Sequence, residues 1–218
     1  MNRLMYAAVS LLAVPAVASA DFISQYVPDW QGEAGASYYE WQSFTDAGGA
    51  NMPTNEPFPS GDAMLLNVGS GAMISGEGNM YGFGGPLDIH VYGYADADVQ
   101  NVAINMSVLG TEMLYDHVTL VWLAADGSEG FMGSWQSSFS ENYWEAADFG
   151  GFPGAIANVS YEWDLSGLAE TVVAVGVFFQ TAGPHSSLDA VSLDINVVPA
   201  PAALALFGLA AAGGRRRR

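Results

Sequence analysis

The sequence predicts an all-β protein, a single jelly-roll-like β-sandwich of about ten strands, and two observations carry this prediction. Apolar and polar residues alternate in several segments, most clearly in residues 102–108, 158–163 and 191–197. No window of the body has the 3.6-residue period of an amphipathic helix, and most of the 26 glycines and 10 prolines separate the strand-like segments.

Two further segments, residues 118–125 and 172–179, are apolar at nearly every position. Strands that are apolar on both faces are typical of positions covered on both sides, so we expect these two to be central strands. Just after the first of them, Asp126-Gly127 predicts a hairpin turn, because glycine tolerates the positive φ that a two-residue turn requires.

The N-terminus has the three parts of a secretory signal peptide, which we predict to span residues 1–20. Arg3 supplies the positive charge, residues 4–17 form a mostly apolar stretch, and Ala18-Ser19-Ala20 matches the small-residue pattern of a cleavage site. Cleavage after Ala20 would leave Asp21 as the first residue of the exported chain.

The C-terminus, residues 199–218, combines a proline pair, a short apolar run and a cluster of arginines. A helix over residues 202–214 would be about 20 Å long at ~1.5 Å per residue, which is shorter than the ~30 Å hydrocarbon core of a bilayer. Positive charge after such a helix favours a cytoplasmic end. The residues that define the pattern are Val198, Pro199, Ala200 and Pro201, followed by Arg215, Arg216, Arg217 and Arg218.

This order of features resembles the PEP-CTERM sorting signal of Gram-negative bacteria. The resemblance implies export by the Sec machinery, a transient anchor in the inner membrane and processing by a membrane-embedded exosortase. It also implies a final location at the cell surface or in an extracellular polysaccharide matrix. One residue departs from the family pattern, because Ala200 stands where the family has glutamate. We therefore expect three segments: a signal peptide (1–20), a β-sandwich (21–198) and a sorting tail (199–218).

The body between these two ends is strongly acidic. All 23 acidic residues lie between Asp21 and Asp194, and no Lys or Arg occurs from residue 4 to residue 214. Nucleic acids are excluded as partners, because binding a polyanion depends on Lys and Arg. The chain also has no Lys for a P-loop or a Schiff base, and no Cys for a thiol nucleophile or a cysteine-ligated metal.

The end of the body resembles the closing strands of galactose-binding-like jelly rolls. Residues 163–168 lead into the apolar run 172–179, and the segment Leu188-Asp189-Ala190-Val191-Ser192-Leu193 is similar to the one with which such domains often end. The resemblance implies a jelly-roll fold, and a fold does not by itself imply sugar binding.

Calcium is the one cofactor that the sequence suggests, with Asp96, Asp98 and Asn101 as its ligands. These residues supply hard oxygen donors in what we expect to be a turn. The segment does not match an EF-hand, because it lacks the glycine and the glutamate that such a loop requires. A solvated acidic loop is the alternative.

Aromatic residues concentrate in two parts of the chain, and exposed rings there would offer a flat apolar surface to a polysaccharide. Buried rings of the same size would instead belong to the core. The candidates for such a ligand platform are Trp41, Trp135, Tyr143 and Trp144.

With 23 acidic residues the chain offers many carboxylates for a glycosidase pair, and one example is Glu141 with Glu145. An extended strand would place them on the same face but more than ~12 Å apart at ~3.3 Å per residue, beyond the ~5.5 Å or ~6.5–9.5 Å that glycosidases use. We therefore predict no catalytic residues. The sequence favours a non-catalytic surface or matrix protein. The alternatives are a carbohydrate-binding module, calcium-dependent or not, and a glycan-active enzyme.

Overall fold

The computed structural model describes residues 22–55 and 62–198, so the predicted signal peptide and the sorting tail from Pro199 onward lie outside the described residues. Within those ranges the chain forms strands that pair into two antiparallel sheets. The strands are β1 (Ala36–Trp41), β2 (Ala50–Asn51), β3 (Ala63–Asn67), β4 (Ala72–Ile74), β5 (Met80–Gly82), β6 (Asp88–Tyr94), β7 (Asp98–Gly110), β8 (Thr119–Ala124), β9 (Glu129–Gly133), β10 (Ser138–Asp148), β11 (Pro153–Asp164), β12 (Val172–Gln180) and β13 (Ser186–Val198).

The prediction of an all-β sandwich is confirmed. The larger sheet has seven strands in the order β10-β11-β7-β13-β5-β4, and β1 also pairs with β13. The smaller sheet has six strands in the order β2-β3-β6-β12-β8-β9. The strand number exceeds the predicted ten because β2, β4 and β5 have only two or three residues each, too few to give a recognisable alternation.

The core lies between the two sheets and consists of large aromatic and aliphatic side chains. Along β11, the buried Val159, Tyr161 and Trp163 face the core, and the residues between them face outward. The removal of such apolar surface from water is the main driving force for folding. The largest fully buried side chains are Trp41, Trp163, Tyr161, Phe44 and Phe179.

The hairpin at Asp126-Gly127 is confirmed, since β8 pairs with β9 across this turn and Gly127 has a φ of +86°. The prediction that residues 118–125 and 172–179 form central strands is confirmed, since β8 and β12 are both interior strands of the six-stranded sheet. The expectation that both faces of these strands are covered is wrong. In β8 and β12 one face packs into the core, while the other is only half-buried and carries Val121 and Phe178. Their outward apolar residues line a surface groove.

The outer face of the seven-stranded sheet is polar and is covered by residues 22–35. Gln25, Tyr26 and Gln31 of this N-terminal segment each contact a side chain of the sheet. The Tyr26 backbone pairs with the Asn105 side chain through two hydrogen bonds: the Tyr26 N–H donates to Oδ1 (2.9 Å), and the Tyr26 carbonyl accepts from Nδ2 (3.0 Å). The further contacts are Ser24 N–H to Asn158 Oδ1, Gln25 Nε2 to Ser192 Oγ, Tyr26 Oη and Trp30 Nε1 to Glu162, and Gln31 Nε2 to Asp194.

Asp194 is the buried charged residue beneath this segment. Its side chain is fully buried, Oδ1 accepts a hydrogen bond from Gln31 Nε2 at 2.6 Å, and Oδ2 has no hydrogen-bond partner. Burial, with smaller contributions from the nearby Glu162 and Glu40 and against the Gln31 hydrogen bond, raises the pKa of Asp194 to about 6. Among the described residues, no helix is long and apolar enough to cross a membrane.

Candidate functional site

A groove of about 610 Å³ runs across the outer face of the six-stranded sheet. Its floor is β12, which presents two small residues, Ala174 and Gly176, on this face. The walls rise from β6 on one side and from β8 and β9 on the other. The lining side chains are Tyr92, Tyr94, Val121, Trp122, Leu123, Glu129, Phe131, Val175 and Phe178.

Strand register explains why these side chains lie on the same face of the sheet. Tyr92 pairs with Gly176, Gly176 with Val121, and Val121 with Phe131, so one row of four residues crosses the sheet on a single face. A Cβ atom on Gly176 would lie 3.0 Å from both Phe178 and Val121. The glycine therefore keeps the middle of the groove deep.

Two of the aromatic rings around the groove are exposed to solvent, and two others are half-buried and packed against each other. Phe131 is 66% exposed and Tyr94 is 48% exposed, whereas Tyr92 and Phe178 are half-buried and meet edge to face at 5.7 Å. The Tyr92 hydroxyl, like that of any tyrosine, is protonated at neutral pH and can donate a hydrogen bond; burial, followed by the neighbouring Tyr94, raises its pKa.

A row of interacting side chains next to the groove holds Tyr92 and Phe178 in place. The His90 ring stacks on Phe178 at 4.1 Å, and its Nδ1 lies 3.3 Å from the Tyr92 hydroxyl. On its other side, His90 Nε2 lies 3.4 Å from Asp88 Oδ1, and Asp88 Oδ2 accepts from Gln180 Nε2 at 2.9 Å. The orientations of the Tyr92 and Phe178 rings are thus set by side chains outside the groove, which reduces the entropy that these two side chains lose when a ligand binds.

The groove offers apolar area with few polar groups. Among the described residues that line it, Glu129 is the single charged side chain, and it stands at one end on β9. Glycoside hydrolysis commonly uses a pair of carboxyl groups that flank the scissile bond. The described lining of this groove has one carboxyl group, that of Glu129. The arrangement is suited to binding a flat, largely apolar surface that also carries hydroxyl groups.

The four residues of the predicted ligand platform do not come together. The prediction of an exposed ring is wrong for Trp41. Its side chain is fully buried in the core, and its Nε1 donates to the Asn51 carbonyl at 2.9 Å. Trp135 and Trp144 are 75% and 45% exposed, but Tyr143 and Trp144 are neighbours on β10 and point to opposite faces.

The two carboxylates of the predicted glycosidase pair also separate. A β-bulge at Asn142 shifts the register between Glu141 and Tyr143, so Glu141 pairs with Val159 on the core-side face and Glu145 pairs with Ile156 on the outer face. The expectation that Glu141 and Glu145 share a face is therefore wrong. Glu145 instead accepts a hydrogen bond from the Tyr143 hydroxyl.

The predicted calcium ligands lie at the junction of β6 and β7. Asp98 Oδ1 accepts from the Val172 N–H at 2.8 Å and Oδ2 accepts from Gln100 Nε2 at 2.9 Å, while Asn101 Oδ1 accepts from Asn196 Nδ2 at 3.3 Å. Asp96 lies in the turn before β7. Over residues 22–55 and 62–198, no group of three His, Asp or Glu side chains is arranged to hold a metal ion. Calcium binding by these residues stays a prediction, and it would have to displace bonds within the protein.

Comparisons with known proteins give no family. No family model matches the chain, and no curated protein matches it. A solved structure that is similar is that of the carbohydrate-binding module TmCBM27, described for its specific recognition of mannan, at 13% sequence identity. The match covers 75% of this chain and 90% of that chain with a TM-score of 0.21.

Proposed function

We propose that this protein is an exported, non-catalytic cell-surface or matrix protein whose β-sandwich binds a neutral glycan along the groove of the six-stranded sheet. The observation that carries the proposal is the groove itself, an open trough with Tyr92, Tyr94, Phe131 and Phe178 around a floor of small residues. Export and sorting rest on the two termini, where residues 1–20 and 199–218 have the sequence patterns described above.

A sugar ring matches the chemistry of this groove. One face of a hexose presents C–H groups that pack against an aromatic ring, and its edge presents hydroxyls that need hydrogen-bond partners. Phe131 and Phe178 supply apolar ring surface, while the Tyr92 and Tyr94 hydroxyls and the Glu129 carboxylate supply polar partners. The groove crosses β6, β12, β8 and β9, a width of about 14 Å at ~4.8 Å per strand, which gives room for a short oligosaccharide.

The charge of the protein favours a neutral glycan over an acidic one. Residues 21–198 carry all 23 acidic residues of the chain and no Lys or Arg. A uronate or sulfate group would therefore find no cationic partner in the groove and would be repelled by the surrounding field. A neutral polymer, whose contacts are stacking and hydroxyl hydrogen bonds, does not meet this repulsion.

Binding of the protein, purified from its native host, to a panel of neutral polysaccharides tests the proposal, with alginate as the acidic comparison. We expect saturable binding to at least one neutral polymer, weakened about tenfold or more in Phe131→Ala and in Tyr94→Ala, which is about 1.4 kcal/mol or more. Phe83→Ala is the matched control, because Phe83 is a 63% exposed phenylalanine outside the groove. Equal binding by all three variants, or binding to alginate alone, would rule the proposal out.

A further inference from the structure

A second aromatic site lies away from the groove, in a cavity of about 400 Å³. Two short 3₁₀ turns, Tyr115–His117 and Ser134–Gln136, meet strands β10 and β11 at this place. The lining residues are Tyr115, Asp116, Ser134, Trp135, Phe139 and Tyr161. Four of these six side chains are aromatic and one is a carboxylate.

The rings are arranged around the cavity at fixed angles to each other. Phe139 and Tyr161 are cross-strand partners on the core-side face, with ring centres 5.1 Å apart and planes inclined at 48°. The ring centres of Phe139 and Tyr115 are 6.2 Å apart, with planes inclined at 58°. Tyr161 is buried beneath the site, whereas Phe139 is 50% exposed and Trp135 is 75% exposed. The cavity therefore opens to solvent on the side of Phe139 and Trp135.

Contacts outside the cavity hold these side chains in position. The Tyr161 hydroxyl donates to the Tyr115 carbonyl at 2.9 Å, and the Ser134 hydroxyl donates to the Asp116 carbonyl at 3.1 Å. The Trp135 indole lies directly over Gly133, where an added Cβ atom would be 2.2 Å from the ring. Only glycine at position 133 leaves the indole in this place.

The electrostatic environment of the cavity is negative. Asp116 is part of its lining, and Glu112 accepts a hydrogen bond from the Tyr115 hydroxyl at 2.8 Å. Burial first, and then the charge of Asp116, raises the pKa of Tyr161; burial, the Glu112 contact and Glu141 do the same for Tyr115. The sequence places no Lys or Arg between residues 4 and 214 that could neutralise these carboxylates.

We propose that this cavity binds a methylated ammonium group, a quaternary or tertiary alkylammonium cation. The faces of aromatic rings attract a diffuse positive charge, and a nearby carboxylate adds to the attraction. A methylated ammonium has few or no N–H groups to pair and is held mainly by ring faces, which supply four of the six lining side chains. A sugar would instead need hydrogen-bond donors, and the Ser134 and Tyr161 hydroxyls already donate their protons to backbone carbonyls. This site and its ligand are independent of glycan binding in the groove.

Titration of the natively purified protein with choline chloride tests the proposal, and the neutral isostere 3,3-dimethylbutan-1-ol serves as the comparison. The two molecules have almost the same shape and differ in charge, so we expect choline to bind and the alcohol not to compete with it. The readout is calorimetry, together with the NMR signals of the indole N–H groups, among which the Trp135 signal should shift. Phosphocholine is the second arm, because it carries the same group as a lipid or polymer headgroup does, and its phosphate should weaken binding beside Asp116.

Two variants locate the site and one serves as the control. Trp135→Leu should weaken choline binding about two- to thirtyfold, the range that cation–π contacts span, and Asp116→Asn should weaken it in low salt more than in high salt. Because both side chains are exposed, we expect each of the two variants to unfold at the same temperature as the wild type. Phe83→Leu, an exposed ring outside both the groove and this cavity, should leave binding unchanged. Equal affinity for choline and the alcohol, no affinity for choline or phosphocholine, or full affinity in Trp135→Leu would overturn the proposal.

Discussion

Replacement of Asp194 by asparagine should stabilise the protein at neutral pH and have a smaller effect in acid. Asp194 is fully buried under the N-terminal segment, with one carboxylate oxygen bonded to Gln31 and the other without a partner. A buried carboxylate in this state opposes folding whenever it is charged. Asparagine keeps an oxygen for the Gln31 hydrogen bond and removes the charge.

The magnitude follows from the pKa of the carboxyl group in the two states. Burial, with Glu162 and Glu40, raises the pKa of Asp194 from 3.8 to about 6, and a shift of this size corresponds to about 3 kcal/mol. Because the folded state binds the proton more tightly than the unfolded state, this group contributes most to stability below about pH 4. The contribution is lost as the pH rises through 6. Between pH 4.5 and pH 7.5 the loss is about 2 kcal/mol.

Urea denaturation of the wild type and of Asp194→Asn at pH 4.5 and 7.5, at constant ionic strength, measures this difference. We expect the variant to gain about 1–3 kcal/mol relative to the wild type at pH 7.5, and distinctly less at pH 4.5. Glu33→Gln is the control, because Glu33 is exposed in the same segment and its replacement changes the net charge by the same amount. Equal differences between Asp194→Asn and the wild type at the two pH values would refute the reasoning.

Three further outcomes are expected. Ala174→Leu should fill the groove floor and weaken glycan binding about tenfold or more, with an unchanged urea midpoint; retained affinity would mean that the ligand lies elsewhere. Because residues 21–198 hold 23 acidic residues and no Lys or Arg, the thermal midpoint should rise from low to high NaCl as repulsion is screened, and a constant midpoint would count against this. The intact mass of the protein from native cells should correspond to a start at Asp21 and an end near Pro199–Pro201; a chain ending at Arg218 would contradict processing at the tail.

Strand positions were readable from the sequence where one face of a strand is polar. β7, β11 and β13 show a two-residue alternation because their outward residues contact water or the polar N-terminal segment. The same alternation is missing from β8 and β12, because their outward residues line the groove and are apolar as well. A signal for the groove was present in β6, where His90, Tyr92 and Tyr94 alternate with Ile89, Val91 and Gly93.

The position of each aromatic ring was not readable, because burial depends on strands that are distant in sequence. Trp41 and Trp135 have similar local sequence character, yet the first is covered by the opposite sheet and the second extends from a short turn. The bulge at Asn142 is equally invisible in the sequence, and it alone reverses the faces of Tyr143, Trp144 and Glu145. The calcium and sorting predictions rest on local patterns and stay predictions.

The two layers of the sandwich divide the molecule into an attachment side and a free side. The N-terminal segment covers the seven-stranded sheet, and β13, which ends at Val198, belongs to that same sheet. The groove lies on the other layer. A fusion partner, an affinity tag or a sensor surface joined to either end of the described chain therefore meets the layer opposite the groove. A protein immobilised through either end would therefore be attached by the seven-stranded sheet, and the groove on the six-stranded sheet would stay accessible to a ligand in the same experiment.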